Sequence, residues 1–203
     1  MMSPELHRRF IATAKGLSPA LARDIAGIGP IWFPEREDHG PAAFLARSIV
    51  AQQISAASAR SIWGRVRAAA EARSETLADF LARVDHDALR QCGLSGNKVK
   101  AVLAIQAAAM ASPFAALRAL DHGARSELLC AIWGIGQWTA DMMAIFYYHE
   151  LDIWPEGDLA VSRGFKSYIG RRKPEKQAAL FAPNRSLLAL YMWRLKGGAM
   201  PDK

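Results

Sequence analysis

The spacing of apolar residues along the chain predicts helices almost throughout. Apolar positions recur every three or four residues, and no stretch shows the sustained alternation that a half-buried strand requires. We therefore predict an all-α fold. The expected helices cover residues 4–15, 19–26, 76–84, 95–110, 114–120, 124–132, 137–150 and 159–169, and further helices open at Pro41 and Pro174. Asp85 or Asp87 can cap a helix that runs through Cys92, Ser55 can cap another, and Ser186 can cap the last, which runs through Lys196.

The expected helix 137–150 is apolar on every side rather than along one stripe. A helix of this kind is buried all round, so we expect it at the centre of a protein with two parts. The segment 27–40 is rich in Pro, Gly and charged residues and predicts an irregular connection. A new structural unit should therefore begin at Pro41.

The stretch Ile132-Trp133-Gly134-Ile135-Gly136-Gln137-Trp138-Thr139-Ala140 joins two predicted helices through a Gly-x-Gly turn. Glycine reaches positive φ and carries no side chain, so such a turn can point backbone amides at a ligand. The helix that follows adds the partial positive charge of its amino end. The turn can therefore hold a phosphate, although a lone Gly-x-Gly pair is more typical of an ordinary corner between helices.

Asp158 follows the loop 151–157 and directly precedes the expected helix 159–169. A carboxylate at a helix amino end is held ionised because the free amides and the helix dipole favour the anion. An ionised carboxylate can stabilise a cation, such as the oxocarbenium-like sugar that forms when a glycosidic bond breaks. A simple N-cap aspartate accounts for the same position.

Gln52 and Gln53 stand side by side at the expected break between two helices. Two adjacent amides at such a break form a polar, exposed turn. Taken alone, that turn is as consistent with a solvated corner as with a binding site.

The 203 residues carry a formal net charge of +7, and this excess is confined to one end of the chain. Residues 1–157 contain 16 basic and 16 acidic residues, whereas the stretch from Asp158 onward contains ten basic and three acidic residues. A basic surface of this kind is typical of a protein that binds a polyanion such as DNA. A solvated basic surface without a ligand remains the alternative.

The sequence shows no sign of a metal site, a disulfide framework or a membrane segment. Two cysteines, Cys92 and Cys130, and five scattered histidines have no ligand spacing, so we expect no catalytic metal. Met1–Phe10 has no signal-peptide core, and no apolar run is long enough to cross a bilayer. We therefore expect a cytoplasmic protein, associated with the nucleoid if the source is bacterial.

Several motifs in a fixed order resemble the helix-hairpin-helix DNA glycosylases, most closely the DNA-3-methyladenine glycosylase II branch. The resemblance runs from about Phe44 to Trp193. The matching stretches are Arg47-Ser48-Ile49-Val50-Ala51-Gln52-Gln53-Ile54-Ser55, Cys92-Gly93-Leu94-Ser95 with Lys98, Trp133-Gly134-Ile135-Gly136-Gln137-Trp138-Thr139-Ala140, Trp154-Pro155-Glu156-Gly157-Asp158, and Arg185-Ser186 leading to Trp193.

This resemblance implies an all-helical fold of two lobes with a DNA-binding cleft between them. Residues 41–150 would form the central lobe, which ends in the helix-hairpin-helix. Residues 1–40 and 151–203 would form the second lobe, which carries the catalytic aspartate. The chain would be a compact form without the amino-terminal β domain of larger members, and without the four carboxy-terminal cysteines that hold an iron-sulfur cluster in the endonuclease III branch.

The resemblance also implies a role for each motif. Asp158 would be the catalytic residue, and Gln53, flanked by Gln52 and Ile54, would enter the minor groove and fill the gap left by a flipped base. The base pocket would contain Trp138, Met142 and Trp193, whose aromatic rings attract a positively charged alkylated base; core packing is the alternative for Trp193. Two departures from relatives are Met142, where some carry an aromatic residue, and Asn184, which replaces a tryptophan.

By the same resemblance, the hairpin would bind DNA phosphate through backbone amides of Gly134, Gly136, Gln137, Trp138 and Thr139. The carbonyl groups of Cys130, Ile132 and Ile135 would be candidates for holding a structural Na⁺ or K⁺ ion. We expect no cofactor in catalysis. Asp141 is a competing carboxylate, for which we expect a buried hydrogen-bonding or capping role.

Trp138 stands where the bifunctional members of the resembled family carry a lysine that attacks the sugar. Tryptophan cannot form a Schiff base, so we expect a monofunctional glycosylase that removes alkylated purines such as 3-methyladenine from damaged duplex DNA in base excision repair. No lyase activity is expected, and a monomer is the default. A glycosylase for deaminated or mismatched bases and a non-catalytic DNA-binding module are the alternatives.

Overall fold

The computed structural model describes residues 2–34, 39–112 and 114–195, and these form helices connected by turns. The described residues include no β-strand, which confirms the predicted all-α class. They divide into two compact units: the first contains residues 2–34 and 144–195, and the second contains residues 39–112 and 114–143. Residues 144–150, which the resemblance assigned to the central lobe, therefore group with the first unit.

The first unit is built around a helix near the carboxyl end of the chain. Its α-helices are α1 (Pro4–Leu17), α2 (Pro19–Ile28), α10 (Leu159–Ile169), α11 (Pro174–Ala178) and α12 (Arg185–Leu195), with a short 3-10 helix at Ala179–Phe181. Every residue of α12 from Ser186 to Trp193 is buried. Within this helix, the Tyr191 hydroxyl donates to the carbonyl of Gly29 (2.9 Å), which ties α12 to the end of α2.

The second unit contains α3 (Pro41–Ala51), α4 (Ala56–Glu71), α5 (Leu77–Arg83), α6 (His86–Gln91), α7 (Gly96–Ala111), a 3-10 helix at Phe114–Ala119, and α8 (His122–Cys130). The last helix, α9 (Gln137–Phe146), begins in this unit and ends in the other. Several polar side chains in the interior are hydrogen-bonded to backbone carbonyls. The Gln106 side chain of α7, for example, donates to the carbonyls of Leu81 and Val84 at the end of α5 (3.1 and 3.2 Å).

Helix starts agree with the capping residues in the sequence. Ser55, Thr76, Asp85 and Asp158 each accept a hydrogen bond from a backbone amide three residues later, which satisfies one of the unpaired donors at a helix amino end. Ser186 was predicted to cap the last helix, and this is wrong because α12 begins at Arg185. The predicted end of that helix, Lys196, lies outside the described residues.

The end of α9 also differs from the prediction. Apolar residues continue beyond Phe146, but the helix stops there rather than at Glu150. His149 adopts a left-handed backbone conformation (φ 57°), and the Glu150 amide donates back to Ala144 (2.9 Å). The reversal is therefore set by backbone conformation, which apolar spacing does not reveal. No helix in the described ranges is long and apolar enough to span a membrane.

Candidate functional site

Asp158 is held at the amino end of α10 by donors on both oxygens of its carboxylate. Oδ1 accepts from the amide of Val161 (2.8 Å), and Oδ2 lies 3.3 Å from Nε1 of Trp193. The side chain is largely shielded, with 7% of the residue exposed. Two N–H groups and the positive end of a helix therefore face this one anion, so its charge is held in a fixed position rather than screened by bulk water.

Trp193 reaches Asp158 from the buried helix α12. Only 2% of Trp193 is exposed, and its ring packs against Phe146 with a centroid distance of 5.3 Å. A buried indole N–H needs an acceptor, and Asp158 provides it. The described conformation thus gives Trp193 a positioning contact with the carboxylate. Its predicted role as a wall of the base pocket stays a prediction.

The loop that leads to Asp158 is fixed to the start of α12 by Arg185 and Ser186. The Arg185 guanidinium makes a bidentate pair with the Asp152 carboxylate (2.7 and 3.0 Å) and also donates to the Asp152 carbonyl (2.9 Å). The hydrogen bond to Asp152 is the main cause that raises the pKa of Arg185. Ser186 is fully buried, donates to the carbonyl of Glu150 (2.6 Å) and accepts from the amide of Ile153 (2.9 Å).

The Arg185-Ser186 pair was predicted as a motif match, with Ser186 as a helix cap, and neither prediction included this role. A signal was present, because Asp152 lies in the loop before Asp158 and is a natural partner for an arginine. Because 33 residues separate Asp152 from Arg185, no local pattern indicates that they pair.

The glycine turn between α8 and α9 uses its two glycines differently. Gly134 has φ +90°, and a Cβ there would lie 2.6 Å from the Cβ of Ala101, so the turn rests directly on α7. Gly136 is exposed, and a Cβ there would meet nothing within 4 Å. Gly134 is thus required by the fold, whereas Gly136 keeps the outer surface of the turn open.

The backbone amides of this turn fall into two groups. Those of Gly134, Gly136 and Gln137 donate to no described residue, which leaves them oriented by the turn and able to bind an anion. The Thr139 amide instead donates to the carbonyl of Gly136 (2.9 Å). Thr139 therefore belongs to the internal structure of the turn in this conformation.

The Gln137 side chain joins a polar cluster below the turn. Its amide donates to Oδ1 of Asp141 (2.7 Å), and that same oxygen lies 3.1 Å from Nε2 of His122. Asp141 is buried, with 4% exposed. The competing carboxylate is thus occupied in linking α8 to the first turn of α9, in line with the hydrogen-bonding role expected for it.

The two adjacent glutamines have separate environments. The half-buried Gln52 donates from Nε2 to the hydroxyl of Thr139 (3.2 Å), which connects the end of α3 to the first turn of α9. Gln53 is exposed and has φ +56°, a left-handed conformation that is costly for a residue with a side chain. Ile54, the next residue, is 37% exposed. Gln53 and Ile54 therefore form the projecting part of this turn, and Gln52 anchors it.

Lys98 secures the same turn from α7. Its Nζ donates to the carbonyl of Val50 (2.7 Å) in the last turn of α3. Burial lowers the pKa of Lys98. One helix, α7, thus supports both the turn that carries Gln53 and the glycine turn, so these two loops are held within one scaffold.

The proposed cation ligands are backbone carbonyls around the glycine turn. No described residue donates to the carbonyls of Cys130 and Ile135, whereas the Ile132 carbonyl accepts from the Ile135 amide (3.1 Å). A carbonyl has two acceptor positions, so each of these three oxygens can still bind a cation. The described parts of the chain contain no cluster of three or more His, Cys, Asp or Glu residues able to hold a metal.

The remaining predicted pocket residues belong to the second unit. Trp138 is half-buried in the first turn of α9, and Met142, one turn later, is 1% exposed. The structure thus joins Asp158 with Trp193 in the first unit, and Gln52 with Thr139 in the second. Each unit therefore contains at least one residue that was predicted to line the base pocket.

No protein-family model matches the chain. A DNA-3-methyladenine glycosylase 1 from Schizosaccharomyces pombe is 26% identical over 169 residues, which cover 78% of this chain and 73% of the relative. The crystal structure of a DNA-3-methyladenine glycosidase from Bacillus halodurans is similar with a TM-score of 0.77 and 30% identity, covering 96% of this chain and 90% of that one.

A third likeness, to a Schizosaccharomyces pombe 3-methyladenine DNA glycosylase in complex with abasic DNA, has a TM-score of 0.76 at 24% identity and covers 94% of this chain and 97% of that one. Together with the glycine turn between α8 and α9, these likenesses define the fold as that of the helix-hairpin-helix DNA glycosylases. The chain belongs to the DNA-3-methyladenine glycosylase family.

Proposed function

We propose that this protein is a monofunctional DNA glycosylase of base excision repair that hydrolyses the N-glycosyl bond of alkylated purines, such as 3-methyladenine, in duplex DNA. The observation that carries the proposal is Asp158, a shielded carboxylate fixed by Val161 and Trp193 at a helix amino end. Damaged duplex DNA is the proposed partner, bound by one copy of the chain.

DNA binding begins at the glycine turn. The amides of Gly134, Gly136 and Gln137 and the amino end of α9 hold a backbone phosphate. A monovalent cation on the carbonyls of Cys130, Ile132 and Ile135 would supply positive charge on the same turn when bound. These contacts carry no sequence information, so they suit an enzyme that must search undamaged DNA.

The target nucleotide then leaves the base stack, because its sugar cannot reach a carboxylate from within the duplex. Gln53 and Ile54, with Gln52 behind them, fill the space that the base vacates. The proposed pocket residues are Trp138 and Met142 of the second unit and Trp193 of the first. An alkylated purine carries positive charge, which aromatic π faces attract. The same charge weakens the bond to the sugar, which makes alkylated bases the substrates that need the least catalytic power.

Asp158 acts on the sugar. The bond between C1′ and the base nitrogen breaks with its electron pair moving to the base, and the carboxylate stabilises the positive charge that develops on the sugar. Water then adds to C1′ and loses a proton to solvent. The products are a free base and an abasic site.

The substrate class is tested by incubating the protein with duplexes that carry an alkylated purine, a deaminated base, a mismatch or no damage. We expect free alkylated base, measured by chromatography, and abasic sites that break only after alkali. Release of deaminated or mismatched bases alone would instead show that the protein is a glycosylase for those bases. Binding without release from any duplex would contradict the enzyme assignment and leave a DNA-binding module.

Trp138→Lys tests the geometry of the proposed pocket. If position 138 faces C1′ of the flipped nucleotide, an amine there attacks the sugar and forms a Schiff base. Borohydride should then trap a covalent protein–DNA adduct with the variant and none with the wild type. A folded, DNA-binding variant that gives no adduct would show that Trp138 does not face the sugar.

A further inference from the structure

A lysine and an exposed tryptophan form a pair beside the glycine turn. Nζ of Lys100 lies 4.3 Å from the centroid of the Trp133 ring. Lys100 is exposed, and 44% of Trp133 is exposed. An ammonium over an indole face is attracted by the ring quadrupole, so the flexible lysine side chain has a preferred direction before any ligand arrives.

The position of this pair depends on how the glycine turn packs against α7. Gly134 packs on Ala101 of α7 so closely that a Cβ would come within 2.6 Å. Lys100 precedes Ala101, and Trp133 precedes Gly134. The contact between backbone and helix therefore fixes the ammonium next to the same loop whose amides are oriented for an anion.

The positive charge of Lys100 indicates which class of ligand the pair can bind. No carboxylate of the described chain forms an ion pair with Lys100, so no described carboxylate neutralises its charge. The indole holds the ammonium without neutralising it. An exposed cation with a preferred direction, beside a turn with unbonded backbone amides, suits the next phosphate along a DNA strand.

We propose that Lys100 binds a DNA backbone phosphate adjacent to the one held by the glycine turn, and that Trp133 is the positioning residue that aims it. This inference rests on the proposed function, since it requires that the turn bind DNA. It extends the interface beyond the backbone amides to a side chain of α7. A phosphate contact of this kind adds affinity and salt dependence without sequence preference.

The charge contact is tested by measuring the affinity of Lys100→Gln for an undamaged duplex over a range of salt concentrations. Loss of one phosphate contact should reduce the slope of log K against log salt concentration by about 0.9. The matched control is Arg73→Gln, because the Arg73 guanidinium lies 5.1 Å from the centroid of the Phe80 ring in another cation–π pair, remote in sequence from the turn. The control should keep the wild-type slope.

The role of Trp133 is tested by a double-mutant cycle with Trp133→Leu. Because Trp133 acts through Lys100, Trp133→Leu should weaken binding severalfold in the wild-type background and have no further effect in Lys100→Gln. Trp133→Phe keeps an aromatic face and should retain most of the affinity. Circular dichroism and thermal unfolding establish that each variant is folded, and if Trp133→Leu unfolds, the Phe variant and Lys100→Gln complete the test.

The outcomes separate this inference from the proposed function. An unchanged salt slope for Lys100→Gln, in a protein that binds DNA and releases alkylated base, would overturn the lysine contact alone. Equal weakening by Trp133→Leu in both backgrounds would overturn the positioning role, since the indole would then contact DNA directly. A reduced slope in a protein that releases no base would support the contact while refuting the glycosylase.

Discussion

Gln53 holds an unfavourable backbone conformation in an exposed turn, and its side chain makes no hydrogen bond to any residue that the structure describes. A left-handed residue other than glycine costs about 1–2 kcal/mol, and such residues concentrate at functional sites. The neighbouring Gln52 is instead tied to Thr139. This exposed conformation is compatible with the proposed role of Gln53, in which its side chain enters DNA.

Gln53→Gly should separate stability from function. Relief of the left-handed strain should raise the free energy of unfolding by about 1 kcal/mol, whereas loss of the side chain should slow base excision because nothing fills the gap left by the flipped base. Thermal unfolding and single-turnover excision measure the two effects.

The control is Ser74→Gly, because Ser74 has nearly the same φ (55° against 56° for Gln53) just beyond the end of α4. It should gain similar stability at an unchanged excision rate. Unchanged excision in Gln53→Gly would contradict the proposed role of Gln53.

At the scale of the element, the glycine turn combines a rigid seat with an open surface. Gly134 forms the rigid part of the turn, because it has a positive φ and packs directly on Ala101. Gly136 has open space around it and leaves the surface of the turn accessible. The cluster of Gln137, His122 and Asp141 links the first turn of α9 to α8. If the turn binds DNA as proposed, its amides are already oriented, which reduces the ordering required on binding.

Alanine at the two glycines should have different consequences. Gly134→Ala should destabilise the protein by roughly 2–4 kcal/mol, because it adds left-handed strain and a clash with α7. Gly136→Ala has open space for its Cβ and should leave the unfolding free energy within about 0.5 kcal/mol of wild type, while weakening binding to duplex DNA. Chemical denaturation and fluorescence anisotropy measure these changes. Comparable losses of stability in both variants would contradict the separate roles of the glycines.

Local signals in the sequence were sufficient to predict most helix starts but not every helix end. Asp158 and Ser55 act within three residues of their own position, so sequence alone indicates the helices that they cap. The end of α9 depends on His149 adopting a left-handed conformation. Ser186 looked like a cap, yet it bonds Glu150 and Ile153 across a gap of more than 30 residues, which no local pattern specifies.

At the scale of the whole molecule, the excess of basic residues near the carboxyl end lies on the surface. Arg163, Lys166, Arg171, Lys173 and Lys176 are all exposed. Composition predicted this charge, but the pairs that hold the candidate site together could not be predicted. Gln52 and Thr139 are 87 residues apart, and Asp158 and Trp193 are 35 apart, so only the folded chain reveals them.

Two tyrosines make the stability of the first unit sensitive to alkaline pH. Burial, with a hydrogen bond to Asp24, raises the pKa of Tyr168 to about 12, and burial raises the pKa of Tyr191 to about 12. The unfolded value is about 10, so the folded state favours the neutral phenols. Their stabilising contribution is complete below pH 10 and is lost as the pH rises from about 10 to 12.

We therefore expect the denaturant midpoint to fall over that pH range, together with the appearance of tyrosinate absorbance. Tyr168→Phe should be less stable at pH 8, because the Asp24 carboxylate loses its hydrogen-bond donor, and its stability should fall less between pH 10 and 12. A midpoint that falls equally in both proteins would exclude Tyr168 as a source of this dependence.

The most direct test of the account is the single-turnover rate of alkylated-base release by Asp158→Asn, compared with wild type. Asparagine nearly preserves the size of the side chain, and its amide oxygen can accept from Val161, but its amino group cannot accept from Trp193 and it carries no charge to stabilise the sugar cation. We predict a loss of rate of about a hundredfold or more, with the affinity for an abasic duplex close to wild type and the unfolding temperature somewhat lowered by the lost hydrogen bond. Release at the wild-type rate by this folded variant would contradict the assignment of Asp158 as the catalytic residue.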